Sequence, residues 1–284
     1  MVDLISLENI TFIITTFRSN STIFNCLNSI PPKIKKIIIE NSQDENLKST
    51  LEKKYKNLEC FLMPENFGYG KGNNFGIKKS KTDFVFILNP DTILTPNFLE
   101  NFLDKLKFEK FSIAAPLEEN DNSDYYFKKN GIVDVEHVKG FAMFLNKQNM
   151  FQSFFYENIF LYLEEIDLCK SIRAKNGRIV LVNTKIKHDG GNSHGNRNDF
   201  EMEKSRNWHW MWSKFYFIKK HNGYFYSFFK NLPIFFLSFI KYIIYLLSNN
   251  NKKKIYFMRM MGLLNSYLLR KSFYRPYLKN YIFF

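Results

Sequence analysis

The sequence predicts an α/β fold built on a mostly parallel sheet and followed by a helical extension. Along the first 200 residues, short β-branched and aromatic runs alternate with segments of helical spacing, which is typical of strand-helix-strand units. One run, residues 84–88 (FVFIL), is entirely apolar and is expected to be a central strand buried on both faces. Long apolar and aromatic helical patterns replace this alternation after residue 200. We therefore expect two domains, residues 1–200 and 201–284.

Each element of the first domain follows from its local pattern. Residues 11–17 (TFIITTF) have strand composition, and residues 21–30 place Ile23, Leu27 and Ile30 at helical spacing. The same reasoning gives the other elements: strand 36–39, helix 45–56, strand 58–62, helix 72–79, strand 84–88, strand 138–145, helix 163–176 and strand 178–182. Residues 118–130 are polar without an apolar period, which predicts a surface loop, where we expect acceptor selectivity.

The net charge of +14 lies almost entirely in the second domain. Residues 1–200 contain 26 Lys and Arg against 25 Asp and Glu, whereas residues 201–284 contain 15 against two. Such a basic, aromatic segment is typical of proteins that bind a nucleic acid or an anionic membrane. The charge therefore concerns the partner of the second domain and says little about the chemistry of the first.

Cysteine usage and the N-terminus both indicate a reducing compartment. Cys26, Cys60 and Cys169 are widely spaced and form no metal-ligand pattern, so neither a disulfide framework nor a zinc site is expected. The first ten residues carry Asp3 and Glu8 and no basic segment ahead of the apolar run, unlike a secretory signal. We expect the first domain to stay in the cytoplasm.

Two segments follow predicted strands at the edge where such sheets bind ligands. In residues 89–92 (NPDT), Asp91 could meet a divalent cation on a diphosphate, or the segment could be only a turn that ends a strand. In residues 66–76 (NFGYGKGNNFG), the glycines could let the backbone approach a ligand, or could be turn residues only. This second spacing is neither a P-loop nor a GxGxxG fingerprint.

Two further segments carry titratable side chains. Glu164, Glu165 and Asp167 lie at a predicted helix start, where they could compensate the helix dipole or repel one another and so prepare a general base. His188 lies beside a Gly-Gly turn beyond strand 178–182, where a histidine is either structural or a ligand of a metal ion or phosphate.

The order of these segments resembles the family-2 glycosyltransferases, in particular the rhamnosyltransferase-like branch. The resemblance covers residues 11–193, with a weaker echo in the second domain. Its matches are the family's Asn-x-Gly-x-x-x-Gly-Asn-Asn-x-Gly stretch at residues 66–76, the Leu-Asn-Pro-Asp-Thr metal motif at 88–92, the Tyr-Phe-Glu-Asp-x-Asp-Leu-Cys helix start at 162–169, the His-x-Gly-Gly-x-Ser turn at 188–193, and two strand ends at 15–17 and 40–42.

The resemblance implies a GT-A fold, a nucleotide-sugar donor, Mg²⁺ or Mn²⁺, and inverting transfer to an acceptor hydroxyl. By position, Asp91 and His188 would hold the metal ion, and Glu165 would take the place of the catalytic Asp, with Glu164 and Asp167 beside it. The implied donor-binding residues are Thr15, Thr16, Phe17, Glu40, Asn41, Asn66, Gly68, Asn73, Asn89 and Asp91.

The chain departs from the family pattern at two carboxylates. Glu40 and Glu165 each replace an Asp, which adds one methylene to the nucleoside pocket and to the base. Either the acceptor lies about one bond further away, or Glu164 or Asp167 is the base.

The second domain contains a segment, residues 224–247, that is long and apolar enough to cross a bilayer but carries Lys230 and Lys241. Its polar residues share about a 100° arc of a helical projection, and we expect Pro233 to break or kink the segment, making it two shorter helices. The pattern favours a helix lying in the membrane interface; the alternative is that its apolar face packs on the first domain. The basic residues expected to face anionic headgroups are Lys252, Lys253, Lys254, Arg259, Arg270, Lys271, Arg275 and Lys279.

The sequence thus predicts a metal-dependent inverting glycosyltransferase at the cytoplasmic face of the inner membrane. The expected donor is a dTDP- or UDP-sugar, with rhamnose first by resemblance, and the expected acceptor is a glycan or polyprenyl-linked hydroxyl in surface-polysaccharide assembly. We expect no nucleic-acid partner, because nucleic-acid grooves intersperse aromatic and polar residues, whereas this segment has long apolar runs. The alternatives are a nucleic-acid-binding protein and a catalytically inactive carbohydrate-binding relative.

Overall fold

A computed structural model describes residues 5–121, 125–190 and 199–276. The chain divides into two compact units. The first, called the sheet unit here, comprises residues 1–67, 71–155 and 165–197. The second, called the helical unit, comprises residues 68–70, 156–164 and 198–284.

Nine strands form one mixed sheet in the described part of the sheet unit. They are β1 (Ile10–Thr16), β2 (Lys35–Glu40), β3 (Leu58–Leu62), β4 (Phe84–Leu88), β5 (Thr92–Ile93), β6 (Ile113–Glu118), β7 (Ile132–Asp134), β8 (Ala142–Asn146) and β9 (Ile179–His188). Their order is β3-β2-β1-β4-β8-β6-β9-β5, and β7 also pairs with β9. The first four are parallel, β8 is antiparallel to both β4 and β6, and β6 and β9 are parallel.

The centre of the sheet is held by stacked phenylalanines. β4 is buried at every position, as its fully apolar sequence predicts. Ring centroids of Phe12 and Phe86 lie 5.1 Å apart, and Phe86 lies 5.4 Å from both Phe102 and Phe144. Offset aromatic pairs at this spacing add to the free energy gained from burying the rings. This core fixes the ends of β1 and β4 next to each other.

Helices cover the sheet or form the second unit. Those preceding residue 174 are α1 (Ile23–Ser29), α2 (Glu45–Lys54), α3 (Gly68–Lys79), α4 (Phe98–Leu106) and α5 (Glu164–Arg173). The helical unit adds α6 (Phe200–Asn222), α7 (Tyr224–Leu247) and α8 (Lys252–Tyr267). Asp199 caps the start of α6 by accepting hydrogen bonds from the N–H groups of Glu201 and Met202. Gly223, at a φ of 87°, allows the turn from α6 into α7.

The helical unit is closed around large apolar side chains. Trp208, Met211, Trp212 and Phe215 of α6 are all buried. Gly262 of α8 approaches α6 so closely that a Cβ atom there would lie 2.3 Å from the carbonyl oxygen of Trp208. The two helices therefore meet through a contact that only glycine permits.

Several elements differ from the sequence-based expectation. The glycine-rich segment is helical from Gly68 onward, because Gly72 and Gly76 let α3 lie against Thr15 and Ile13 of β1, and this contact outweighs the low helix propensity of glycine. β9 extends to His188, so this histidine ends a strand. Within the sheet unit, four strands and helices were not predicted, namely β5, α4, β6 and β7, three of which are short or lie beside the polar segment.

The expectation that Pro233 divides α7 is wrong, since α7 is one helix from Tyr224 to Leu247. Pro233 is exposed, and so is Phe229, whose carbonyl loses its helical hydrogen bond to the proline. The interruption is therefore confined to the outer side of the helix, while the inner side keeps its contacts. Cys26, Cys60 and Cys169 are all buried and unbridged.

Asn74 offers a test of how the asparagine-rich segment supports the sheet unit. Its side chain donates to the carbonyl of Phe155 (2.8 Å) and accepts from the Phe155 N–H (3.0 Å), all within buried surroundings. We expect Asn74→Ala to lower the free energy of unfolding by about 2–4 kcal/mol, because two buried backbone groups lose their partner. Urea denaturation measures this.

Asn25→Ala is the matched control, because Asn25 is an exposed residue of α1. We expect it to change stability by less than about 0.5 kcal/mol. Equal, small effects of the two substitutions would contradict a supporting role for Asn74.

Candidate active site

The carboxyl ends of β1 and β2 form one side of the candidate site. Thr16 pairs with Glu40 in the β1–β2 register, and its hydroxyl donates to the Ile39 carbonyl (3.3 Å). The fully buried Glu40 carboxylate accepts from the N–H of Ser42 (2.9 and 3.0 Å), from the N–H of Asp44 (2.8 Å) and from the Ser42 hydroxyl. Glu40 therefore holds the turn that follows it, because both of its carboxylate oxygens accept hydrogen bonds from residues of that turn.

Thr15, Asn41 and Asn73 converge beside Gly72. The Thr15 hydroxyl donates to Asn73 Oδ1 (2.9 Å), and Asn41 Oδ1 accepts from the Phe67 N–H (3.2 Å). A Cβ atom on Gly72 would lie 2.8 Å from Thr15 Cγ2 and 3.6 Å from Asn41 Nδ2. Asn73 is fully buried, yet its Nδ2 has no hydrogen-bond partner. Since buried donors are almost always paired, this amide is available to a ligand.

The remaining predicted donor-binding residues lie in turns or in packing contacts. Phe17 follows β1 with the Arg18 guanidinium 5.0 Å from its ring centre, and Asn66 is buried. Asn89 donates its N–H to the Phe141 carbonyl (2.8 Å), which fixes the turn ahead of Asp91. At Gly68, a Cβ atom would lie 2.3 Å from the Phe160 carbonyl oxygen, so packing explains this glycine without a ligand.

Asp91 and His188 meet at the end of β4. The pairing of Thr92 with His188 brings them together, and His188 Nε2 lies 3.6 Å from Asp91 Oδ1. Both oxygens of the buried Asp91 carboxylate and His188 Nε2 lack hydrogen-bond partners, because 3.6 Å is too long. A buried carboxylate facing an unpaired imidazole nitrogen is the donor set that a divalent cation takes.

Glu118 and Phe141 fix the other side of the His188 ring. His188 Nδ1 lies 3.1 Å from Glu118 Oε1, and Lys139 Nζ holds the second Glu118 oxygen at 2.9 Å. Phe141 stacks on the imidazole at 4.4 Å between ring centres. Burial lowers the pKa of His188, but the Asp91 and Glu118 carboxylates outweigh it, so the net direction is upward. Lys139 and His188 outweigh burial at Glu118 and lower its pKa.

The three carboxylates predicted at a helix start all lie at the beginning of α5. Glu164 and Asp167 are buried, and burial raises the pKa of Glu165, although the N–H groups of Glu165 and Ile166 partly offset this. Tyr162 and Leu163 precede the helix with φ values of 74° and 69°. Two consecutive non-glycine residues in this region are strained, and such strain occurs at functional sites.

The described contacts group the predicted residues into separate clusters. Thr15 joins Asn73, and Asp91 joins His188, whereas no hydrogen bond or ion pair within residues 5–121, 125–190 and 199–276 links Glu165 to Asp91 or His188. Gly191, Asn192 and Ser193, the end of the predicted His-x-Gly-Gly-x-Ser turn, lie outside the described residues. Sequence inspection missed Glu118, which lies at the start of a segment predicted as a loop; only its pairing with β9 shows that it faces His188.

The donor set fits a cation that also binds a diphosphate. Among the residues that the structure describes, no three His, Cys, Asp or Glu side chains are arranged to enclose a metal ion. Mg²⁺ is usually held by one or two protein groups together with substrate phosphates and water. Asp91 and His188, with their three unpaired atoms, match that arrangement.

Comparison with known proteins agrees with this geometry. The family model "Glycosyl transferase family 2" matches residues 11–174, more than half of the chain. The chain belongs to glycosyl transferase family 2. This membership confirms the coarser part of the sequence-based expectation.

One curated relative of this family-2 chain is a low-salt glycan biosynthesis hexosyltransferase, Agl10, of Haloferax volcanii. It is 22% identical over an alignment length of 197, and the match covers 60% of this chain and 63% of the relative. The chain therefore spans less than two thirds of that protein's length.

Solved structures share the fold of this family-2 chain. GalNAc-T7 with UDP, GalNAc and Mn²⁺ has a TM-score of 0.55 at 11% identity, covering 72% of this chain and 51% of that one. S. aureus TarS 1–349 has a TM-score of 0.53 at 12% identity, covering 94% and 93%. These likenesses and the mixed sheet support the expected α/β GT-A fold.

The orientation of His188 gives a direct test of the site geometry. If Glu118 accepts from Nδ1–H, the neutral ring carries its proton on Nδ1 and leaves Nε2 directed at Asp91. We expect ¹⁵N NMR at a pH above the titration of His188 to show the Nδ1–H tautomer, and Glu118→Ala to shift the ring toward the Nε2–H form. Glu119→Ala removes a neighbouring exposed carboxylate and should leave the tautomer unchanged. An Nε2–H tautomer in the unaltered protein would contradict this geometry.

Proposed function

We propose that this chain transfers a sugar from a nucleoside-diphosphate donor to an acceptor hydroxyl with inversion, with the help of Mg²⁺ or Mn²⁺. The observation that carries the proposal is the group of buried, unpaired polar atoms at Asn73, Asp91 and His188. All three belong to the sheet unit, at or beyond the carboxyl ends of its strands or beside Thr15 of β1. Membership of glycosyl transferase family 2 supports a nucleoside-diphosphate sugar as the donor that these atoms would bind.

One set of side chains binds the donor, and another side chain takes the proton of the acceptor hydroxyl. Thr15 and Asn41 shape the nucleoside pocket, and the free Asn73 amide donates a hydrogen bond to the donor. Asp91 and His188 Nε2 would hold the cation, which neutralises charge on the departing diphosphate. Glu165 takes the acceptor proton as the acceptor oxygen bonds to the anomeric carbon and the bond from that carbon to the phosphate oxygen breaks. No protein nucleophile is needed.

The raised pKa of Glu165 suits this role. A base with a pKa closer to neutrality binds the acceptor proton more strongly than an ordinary glutamate does. Burial, the largest cause, disfavours the ionised form, while the N–H groups at the start of α5 keep it attainable. Glu164 and Asp167, both buried beside it in the helix, are the other candidates for the base.

The donor, acceptor and location are parts of the same proposal. UDP is present in the similar structures of GalNAc-T7 and TarS, which makes a UDP-sugar a reasonable donor alongside dTDP-rhamnose. The hexosyltransferase relative acts in glycan biosynthesis, which supports a glycan or polyprenyl-linked acceptor. We place the reaction at the cytoplasmic face of the inner membrane, with residues 1–200 carrying the chemistry and residues 201–284 the docking.

Release of nucleoside diphosphate from a panel of dTDP- and UDP-sugars tests the reaction. We expect turnover that requires Mg²⁺ or Mn²⁺ and falls at least about 100-fold in Asp91→Asn, because one charged ligand of the cation is lost. The exposed Asp104→Asn serves as control. Metal-independent turnover, or full activity in Asp91→Asn, would refute the role of Asp91.

The pH dependence of kcat tests Glu165. The base must be ionised, so activity should fall as the pH drops through its pKa, which burial raises above the ordinary glutamate value of about 4.3. We expect Glu165→Gln to lose about 10²–10⁴-fold and Glu165→Asp to keep part of the activity. The exposed Glu100→Gln is the control. If the acidic limb persists in Glu165→Gln with activity intact, the base is Glu164 or Asp167.

A further inference from the structure

Helix α7 buries polar side chains and exposes apolar ones, which is the reverse of the pattern in a helix of a water-soluble protein. Its three buried residues are polar, namely Ser227, Asn231 and Ser238, with exposed fractions of 0%, 0% and 2%. Its most exposed side chains are apolar, with Phe225 at 76% and Leu247 at 83%. A soluble helix buries its apolar stripe and exposes its polar residues. The outer side of α7 therefore requires an apolar environment.

These polar residues of α7 are buried in the helical unit, and Ser227 bonds the neighbouring helix α6. The Ser227 hydroxyl donates to the Phe215 carbonyl (2.8 Å), and Ser238 donates to the Ile234 carbonyl (2.8 Å). Asn231 donates to the Ser227 carbonyl at 2.8 Å. A rotation of α7 that turned its apolar side inward would break the contact between Ser227 and α6 and expose a buried cluster. The outward direction of the apolar side is thus fixed by packing.

The outward residues form one continuous stripe along the helix. At 100° per residue, five of them fall within about 60° of arc and extend over about 33 Å. These five, called the α7 stripe here, are Phe225, Phe229, Phe236, Ile240 and Leu247. Lys230 and Lys241 lie about 100° or more from the middle of the stripe, so their ammonium groups can reach a polar layer beside it.

We propose that the α7 stripe lies in the interface of an anionic membrane, parallel to its surface. The chain has no carboxylate after Glu203, while exposed basic residues follow α7 at Lys252, Lys254 and Arg270. Apolar side chains flanked by lysines, in a stretch of sequence without Asp or Glu, match an acyl layer bordered by anionic headgroups. This inference rests on the proposed membrane location and deepens it by naming the docking surface, while the transfer chemistry is measured separately.

Two other arrangements fit the surface less well. A symmetric pair of chains joined through the α7 stripe would place the same basic residues of both copies near one another, which like-charge repulsion disfavours. Crossing the bilayer requires about 20 apolar residues, and α7 has the length, with a mean hydropathy of 1.4. However, a crossing helix would place Lys230 and Lys241 inside the hydrocarbon layer, and it would either break the contact of Ser227 with α6 or carry α6 into that layer.

Vesicle flotation of the full chain tests the docking. With phosphatidylglycerol-containing vesicles we expect binding, and with pure phosphatidylcholine much weaker binding. The double variant Phe229→Ser/Phe236→Ser should bind at least about tenfold more weakly, because each phenylalanine ring that is buried in lipid adds to the free energy of binding. Phe108→Ser is the matched control, since Phe108 is 79% exposed on the sheet unit. The substituted phenylalanines of the stripe and Phe108 all face solvent, so we expect each variant to fold, and an unchanged circular dichroism spectrum checks this.

A second pair of variants tests the charge. Lys252→Gln/Lys254→Gln should weaken binding to anionic vesicles about tenfold or more, since each lysine near a charged surface contributes independently. Lys78→Gln/Lys81→Gln changes the net charge equally at exposed positions of the sheet unit and should have little effect. Equal effects of both pairs would overturn a specific role for the residues after α7.

Three outcomes would overturn the proposal. One is vesicle binding that is the same in the phenylalanine double variant and in the unaltered chain. Another is no binding to anionic vesicles; a dimer in sedimentation that the double variant abolishes would then assign the stripe to a second copy. The third is retention of the bound chain on vesicles in alkaline carbonate, which would mean that α7 spans. Donor turnover without vesicles is a separate measurement, so failure of docking and failure of the transfer reaction are distinguishable.

Discussion

The short antiparallel pairing of β5 with β9 is the constraint on which the candidate site depends. It sets Thr92 opposite His188 and so places the Asp91 carboxylate and the imidazole at the end of the central strand. β4 is fixed in turn by the stacked phenylalanines around Phe86. Burial gives both groups a low-dielectric surrounding, in which unpaired polar atoms are costly. A cation shared with a diphosphate would remove that cost.

A second constraint is the close approach of α3 to β1. Gly72 and Gly76 leave no room for a side chain against Thr15 and Ile13, so the helix delivers Asn73 directly to Thr15. The next residue, Asn74, is used differently, since both ends of its amide bond the backbone of Phe155. Asn74 thus supports the fold, while Asn73 keeps an unpaired Nδ2, because helical geometry points the two side chains in different directions.

Much of the sheet was predictable because its strands are strongly patterned. β1, β3 and β4 were located nearly to the residue, and the motif order led to the correct family. Glu118 was not predictable, because its importance arises from register with β9 and not from local sequence. The continuity of α7 through Pro233 and the inward direction of its polar residues also depend on tertiary packing. Helical projection identified the two sides of α7 but could not say which one faces outward.

Anomalous diffraction from crystals containing Mn²⁺ and UDP measures the central claim most directly. The account predicts a manganese peak next to the Asp91 carboxylate and His188 Nε2, with UDP phosphate oxygens as further ligands. The nucleoside should lie beside Thr15 and Asn73. UDP bound there with no manganese peak at Asp91, or manganese bound at other side chains, would contradict the account.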